Sequence, residues 1–258
     1  MKILVLGAGG MLGHEVLASL SPLHDVAGTL RSKAPGDAQY SFDAGTKILT
    51  GVDVRKFASV ERVLSDVGPD AVVNAVGVIK QVVDPDYEAD VREINAVFPH
   101  KLAEFCGESG IRVLHVSTDC VFSGKKGMYR ESDVPDASDL YGKSKLEGEL
   151  HMAGSITLRT SMIGLEIARG KSLVEWFLSQ RGSIRGFRRA VFSGFTTREL
   201  VRIIGRVLAD YPDKGGLYHV SSEPIDKFTL LSGLRERLNL DLEIIPDDDF
   251  VCDRSLDS

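Results

Sequence analysis

Within the first thirteen residues an apolar run, Lys2-Ile-Leu-Val-Leu6, stops at Gly7-Ala8-Gly9-Gly10-Met11-Leu12-Gly13, and a helical pattern continues to Leu20. A buried strand that turns on glycines straight into a helix constrains the fold more than any other stretch. The spacing Gly7-x-x-Gly10-x-x-Gly13 supplies a tight turn, close approach of backbone to a pyrophosphate, and close helix–strand packing. The helix start adds backbone N–H groups, including those of Met11 and Leu12, and a partial positive charge. The alternative register, G-x-G-x-x-G, fails because Leu12 stands at its last glycine.

Such a turn belongs to a parallel sheet, and the following sequence agrees. Strand-like runs at His24–Leu30, around Ile48–Val52, at Asp70–Asn74, Arg112–Ser117 and Ile156–Arg159 alternate with helical patterns. The helices are expected at Arg55–Val67, at Asp86–Ser109 with a kink at Pro99, and at Asp139 to about Met152. Alternation of this kind implies right-handed βαβ units and a doubly wound α/β sheet. From Lys171 the pattern changes to helices at Ser172–Gln180, Thr197–Tyr211 and Phe228–Leu238, with extended pieces at Gly216–Val220 and Leu242–Ile245. The expected division is a nucleotide-binding domain over 1–160 and a smaller α/β lobe over 161–258, from which some elements return to the main sheet.

Composition excludes several classes. A formal net charge of −6 argues against a nucleic-acid partner. No run reaches the roughly eighteen apolar residues of a membrane span, and the N-terminus reads as a strand rather than a secretory leader. Cys106, Cys120 and Cys252 have neither pairing nor metal-ligand spacing, so no metal is expected and a cytoplasmic setting is.

The end of the second strand speaks to the cofactor. A carboxylate roughly twenty residues past the glycine turn would bind a ribose 2′-hydroxyl and repel a 2′-phosphate. Here the chain reads Thr29-Leu30-Arg31-Ser32-Lys33, where Arg31, Ser32 and Lys33 could hold a phosphate. NADP(H) is therefore expected, with NAD(H) as the alternative. Further along, Ser117-Thr118-Asp119 puts hydroxyls at a strand's C-terminal end. Tyr141-Gly-Lys-Ser-Lys145 then sets a phenol and an ammonium one helical turn apart on one face. In that arrangement the lysine would lower the tyrosine's pKa and fit it for proton transfer.

Taken together, these motifs resemble the extended short-chain dehydrogenase/reductases, and within them the dTDP-4-dehydrorhamnose reductase group. The glycine turn, Asp53-Val54, Asn74-Ala75-Val76-Gly77, Asn95, Ser117 to Phe122, Tyr141 to Glu149 and Leu158-Arg159-Thr160-Ser161 carry the likeness over nearly the whole chain. The resemblance implies a Rossmann-type sheet and hydride transfer from NADPH to a 4-keto group of a nucleotide-linked sugar. Thr118 would polarise the carbonyl, Tyr141 would donate the proton, and Lys145 would hold the nicotinamide ribose. Asp53 and Val54 would flank the adenine, Ala75, Val76 and Gly77 would line the cofactor's middle, and Asn95 would support the site from the central helix.

Departures bear on the sugar. Related 4,6-dehydratases carry Asp-Glu after the threonine, whereas Asp119 is followed here by Cys120, which argues against dehydration. Cys120 and Met162 replace the tyrosine and tryptophan common in the reductases, so with Asp119 they mark the sugar pocket. Arg188, or its neighbours Arg185 and Arg189, is expected to clamp the diphosphate, and Trp176 and His115 to pack in the core. The family carries its chain past the Arg254 stretch, so a further terminal segment is expected beyond Ser258. A homodimer is usual in the superfamily. Two other functions fit the same motifs: an epimerase that retains its cofactor, and a non-catalytic NADP-binding regulatory subunit.

Overall fold

In the computed structural model, which describes residues 1–31, 42, 45–80, 85–167, 170 and 172–258, β1 (Lys2–Leu6) lies inside a mixed α/β structure. It is followed by α1 (Met11–Leu20), β2 (Asp25–Thr29), β3 (Lys47–Leu49), α2 (Phe57–Val67), β4 (Ala71–Asn74), α3 (Glu88–Arg92), α4 (Phe98–Glu108), β5 (Arg112–Thr118), α5 (Leu140–Glu147) and β6 (Ser155–Thr160). The remainder holds β7 (Met162–Ile163), α6 (Leu173–Ser179), β8 (Gly182–Phe187), β9 (Ala190–Phe192), β10 (Phe195–Thr196), α7 (Thr197–Asp210), β11 (Gly216–His219), β12 (Ile225–Asp226), α8 (Lys227–Leu238), β13 (Leu242–Asp247) and β14 (Cys252–Asp253).

Seven strands form one sheet in the order β11-β6-β5-β4-β1-β2-β3, and every pair in it is parallel. Strand order reverses between β1 and β4, which opens a crevice at the strands' C-terminal ends. The central strands are buried on both faces and accordingly read as continuous apolar runs. Helices cover each face. On one, Leu12, Val16 and Leu17 of α1 meet Leu200, Val201 and Ile204 of α7. On the other, Val60, Val63, Leu64 and Val67 of α2 pack with Phe98 and Leu102 of α4. The i, i+3, i+4, i+7 spacing makes α2 a helix, and each of those buried side chains contributes roughly 1.5–3 kcal/mol. Gly68, in the left-handed region at φ 57°, ends it.

Two helices differ from expectation. The stretch Asp86–Ser109 is helical but uneven: a 3-10 turn at Pro85–Tyr87 leads into α3, and a π turn at Glu93–Val97 separates α3 from α4. Pro99 has no N–H for the Asn95 carbonyl one turn back, and the wider π turn lies just before it. The helix carrying Tyr141 stops at Glu147, well short of Met152. Gly148 lies so close to the Asn95 carbonyl that any side chain there would collide. Beyond it the chain turns inward, burying Glu149 against Arg159 at 2.7 Å and donating from the Leu150 N–H to Thr157 Oγ1.

Past residue 160 the chain is divided in space. The parallel pair β8–β13 is covered by α8, and Ile184, Leu231, Leu242 and Ile244 join Phe177 of α6 in a small separate core. The pieces β10–β7 and β12–β9–β14 form two further small sheets. By contrast β11 pairs with β6 and α7 packs on α1, so β11 joins the large sheet and α7 covers its face. Trp176, expected in the core, is 41% exposed. Among the described residues no helix is long and apolar enough to cross a membrane, and no group of His, Cys, Asp or Glu could hold a metal ion.

Candidate active site

The crevice above the switch point is a cleft of about 740 Å³, and the glycine turn forms one end of it. Gly7 adopts φ +88°, and a Cβ there would press on the Ala75 carbonyl oxygen at 3.1 Å. A Cβ on Gly13 would collide with the Gly7 carbonyl, so β1 and α1 can approach this closely only with glycine at that position. Gly10 is the N-cap of α1, with no side-chain cap and no acidic residue in the first turn. The N–H groups at the start of α1 therefore meet the cleft with their partial charge unneutralised, and Gly9, Gly10, Met11 and Leu12 line it.

Arg31 lines the same end, as do Asp53 and Val54. Arg55 hydrogen-bonds the Asp53 carboxylate at 2.8 Å and, with smaller help from Arg31, holds it below its usual range. Ser32 and Lys33 lie outside the described residues. Ala75, Val76 and Gly77, just past β4, form the middle wall. Asn95 lies behind that wall rather than in it. Its Oδ1 accepts from the Val78 N–H at 2.8 Å, and its Nδ2 donates to the Val78 carbonyl and to Ser144 Oγ, both at 3.1 Å. It ties the wall loop to α5 and does not reach the cleft.

Thr118, Asp119, Cys120, Tyr141 and Lys145 come together where β5 ends beside α5. Asp139 starts α5 there, accepting from the Gly142 N–H at 2.8 Å, and so puts Tyr141 in the first turn. Thr118 Oγ1 accepts from the Cys120 N–H at 3.1 Å and donates to Asp119 Oδ1 at 3.2 Å. Lys145, 5% exposed, donates to the Val116 carbonyl at 2.8 Å and lies 3.4 Å from His115 Nε2.

The electrostatics differ from expectation. Burial, followed by the Cys120 thiol and the Asp119 and Asp139 carboxyls, pushes the Tyr141 phenol above its ordinary value, while Thr118 opposes them. Lys145 is not among the largest influences on it, and its Nζ donates to the Val116 carbonyl. Burial pushes Lys145 itself down to about 8, against the attraction of Glu149. The site thus holds a protonated phenol and a lysine that releases its proton readily. Asp119 is raised by burial, and Cys120 is pushed up to about 12 by the same cause, so Cys120 stands as a protonated wall residue.

At the far end Met162 lines the cleft, while the arginines expected there do not. Arg188 is exposed, 3.7 Å from Asp248 and stacked over Phe228. Arg185 pairs with Asp247, and Lys126 and Arg130 pair with Asp133 and Asp257. The cations that do line this end are Lys227 and Arg254. Lys227 begins α8, at the helix end where a positive charge is unfavourable. Its ammonium lies 4.0 Å from the Phe192 ring centroid and, among the described residues, has neither hydrogen bond nor ion pair. Burial lowers its pKa against the attraction of Asp119 and the two thiols. Arg254 donates Nε to the Phe122 carbonyl at 2.9 Å. A lysine directly after the helix-capping Asp226 is the one sequence signal that could have identified Lys227.

Comparison with known proteins places this geometry. The family profile for the RmlD substrate binding domain matches residues 1–230. A dTDP-4-dehydrorhamnose reductase of Burkholderia thailandensis is 32% identical over 183 residues, 69% of this chain and 55% of that protein; the chain thus spans about half that relative's length. A solved structure described as a hypothetical dTDP-4-dehydrorhamnose reductase from Sulfolobus tokodaii superposes with a TM-score of 0.81 at 27% identity, covering 100% of this chain and 92% of that one. A dTDP-4-dehydrorhamnose reductase from Bacillus anthracis, solved in complex with NADP, has a TM-score of 0.80 at 21% identity and covers 100% and 90%; at that identity the likeness is one of fold.

Proposed function

The chain belongs to the RmlD substrate binding domain family, and from that premise we propose that it is an NADPH-dependent reductase of the 4-keto group of a nucleotide-linked deoxysugar. One observation carries the reading: Thr118, Tyr141 and Lys145 share a single cleft with an uncapped helix start behind a glycine turn. The cradle suits a dinucleotide, because Gly9, Gly10 and the start of α1 line the cleft, and glycines at 7 and 13 allow β1, α1 and the Ala75 backbone to approach closely. Arg31 favours a 2′-phosphate, and Asp53, whose carboxylate feels its charge, is engaged by Arg55.

When bound, the nicotinamide supplies a hydride to the keto carbon. The chain's own residues govern the oxygen. Thr118 Oγ1, which donates to Asp119 without substrate, would turn its proton to that oxygen, and Tyr141, kept protonated by burial, gives up its phenolic proton as negative charge develops. Lys145 contributes positive charge and a proton source beneath Tyr141. Dehydration would need a second carboxylate, and Cys120 is instead a protonated thiol. Lys227 and Arg254 hold the anionic part of the substrate, a role in which the otherwise unpaired Lys227 ammonium gains a partner.

We propose further that residues 1–160 with α7 and β11 form the nucleotide-binding unit and that the rest of 161–258 is the substrate lobe. The protein would act in the cytoplasm, which suits three free cysteines, and as a homodimer, which sedimentation would check. A panel of dTDP- and UDP-linked 4-ketosugars followed by NADPH absorbance tests the activity. Stoichiometric NADPH consumption supports reduction. Turnover without net consumption would indicate an epimerase, and silence across the panel a regulatory subunit.

A further inference from the structure

Behind the reacting centre lies a buried row of side chains, Asn74, His115 and Lys145, that the proposed reaction does not use beyond the lysine. Its hydrogen-bond polarity can be assigned from one end. The Val76 N–H can only donate, and it meets Asn74 Oδ1 at 3.2 Å. The other arm of that amide is therefore its NH₂ group, and it faces His115 Nδ1 at 3.0 Å. Nδ1 must accept. His115 is fully buried, and burial, followed by the charges of Lys145 and His100, keeps it neutral by holding its pKa well below the ordinary value. A neutral imidazole carries one proton, so that proton is on Nε2.

Nε2 lies 3.4 Å from Lys145 Nζ. An imidazole N–H opposite an ammonium is donor against donor. Opposite an amine it meets a lone pair, while the amine still donates to the Val116 carbonyl at 2.8 Å. We propose that His115 is a positioning residue which, locked by Asn74 as the Nε2–H tautomer, donates to Lys145 Nζ and so favours the amine over the ammonium. The charged or titratable groups that act on the pair are Glu149 after α5, which favours the ammonium and is itself paired with Arg159, and His100 on α4. Burial, working against Glu149, brings the lysine down to about 8, and a donor at His115 Nε2 would act in the same direction as burial.

The consequence for turnover rests on the reductase reading; the tautomer and the lysine's ionisation do not. Each reduction takes the phenolic proton of Tyr141 onto the substrate oxygen. An ammonium that releases its proton readily can restore it, and Lys145 then returns from amine to ammonium with a proton from solvent. A fixed cation would make that step costly.

Two NMR measurements on the full chain without substrate test the proposal. In uniformly ¹⁵N-labelled protein, long-range couplings of the His115 ring should show Nε2 protonated and Nδ1 bare; a proton on Nδ1 would overturn it. In protein labelled with ¹³Cε-lysine, the Lys145 signal, assigned by its loss in Lys145→Arg, is titrated in wild type and in His115→Leu. Leucine keeps the site dry but removes the donor. The lysine should then hold its proton at least about tenfold more tightly. If His115 instead accepts from the ammonium, its loss weakens proton binding, so an unchanged or lowered titration refutes the idea. The wild-type tautomer stands as a test even where His115→Leu does not fold. The alkaline limb of kcat should move upward in that variant, with the KM for NADPH little changed. An unmoved limb would leave His115 a packing residue. Absence of reductase turnover alongside the expected NMR result would remove the proposed function and leave the tautomer standing.

Discussion

The two ends of the cleft are built from different materials. The end at Gly7–Gly13 is backbone: N–H groups at a helix start, with glycines keeping side chains away. The far end is side chains brought from distant segments, with Asp119 and Cys120 after β5, Met162 on β7, Phe192 on β9, Lys227 on α8 and Arg254 after β14. A backbone site is written in contiguous residues and is legible in sequence. A site assembled across more than a hundred residues depends on how the small lobe packs, and it can change its ligand without disturbing the first end. Thr118, Tyr141 and Lys145 lie where the two meet.

The largest effect is expected at that junction. Tyr141→Phe removes the proton donor and leaves both ends intact, so kcat should fall by about 10²–10⁴-fold while NADPH affinity, read by fluorescence titration, stays within about twofold. A parallel loss of cofactor binding would show that the junction and the backbone end are not separable. Next comes Gly13→Val, whose Cβ would drive into the Gly7 carbonyl and push α1 off β1. Overpacking of that kind costs about 1–3 kcal/mol, which here should appear as roughly tenfold to hundredfold weaker NADPH binding with the substrate's own affinity little altered.

What was legible follows the same division. Alternating apolar runs place β1 to β6, and the glycine turn, Thr118 and the Tyr141–Lys145 pair fall together as their spacing implies. Local spacing could not show that Lys145 donates to the Val116 carbonyl or that burial raises the Tyr141 pKa, because both depend on elements packed around α5. Nor could it show that the Tyr141 helix is cut at Gly148 by the Asn95 backbone. Trp176 sits among apolar neighbours in sequence, yet its helix presents it to solvent. Arginines near glycines drew attention to Arg188, while the lysine at the start of α8 drew none. For Lys145, Gly148, Arg188 and Lys227 the deciding contact is long-range.

Lys227→Ala sharpens the comparison from the side-chain end. A half-buried ammonium with no ion pair, at a helix start, costs the fold energy that the Phe192 ring and the Asp119 charge offset only in part. The KM for the nucleotide-sugar should rise by about tenfold or more, NADPH affinity should hold, and thermal stability should increase. Arg254→Ala should raise the same KM, but without a gain in stability, because its Nε bond to the Phe122 carbonyl is lost. A drop in stability for Lys227→Ala would show that the lysine serves the fold rather than a ligand.

The smallest effect is predicted at Arg188, and there the two ways of reading the chain part most clearly. Its neighbours in sequence make it the natural clamp for a diphosphate. Its position makes it a surface cation, paired at 3.7 Å with Asp248, stacked on Phe228 and outside the cleft wall. Exposed pairs of this sort contribute about 0–1 kcal/mol, so Arg188→Ala should change the KM for substrate by less than about twofold. A tenfold rise would mean that β8 and β13 swing toward the cleft when substrate binds. The far end would then be assembled by its ligand as well as by the fold, which the backbone-built end does not require.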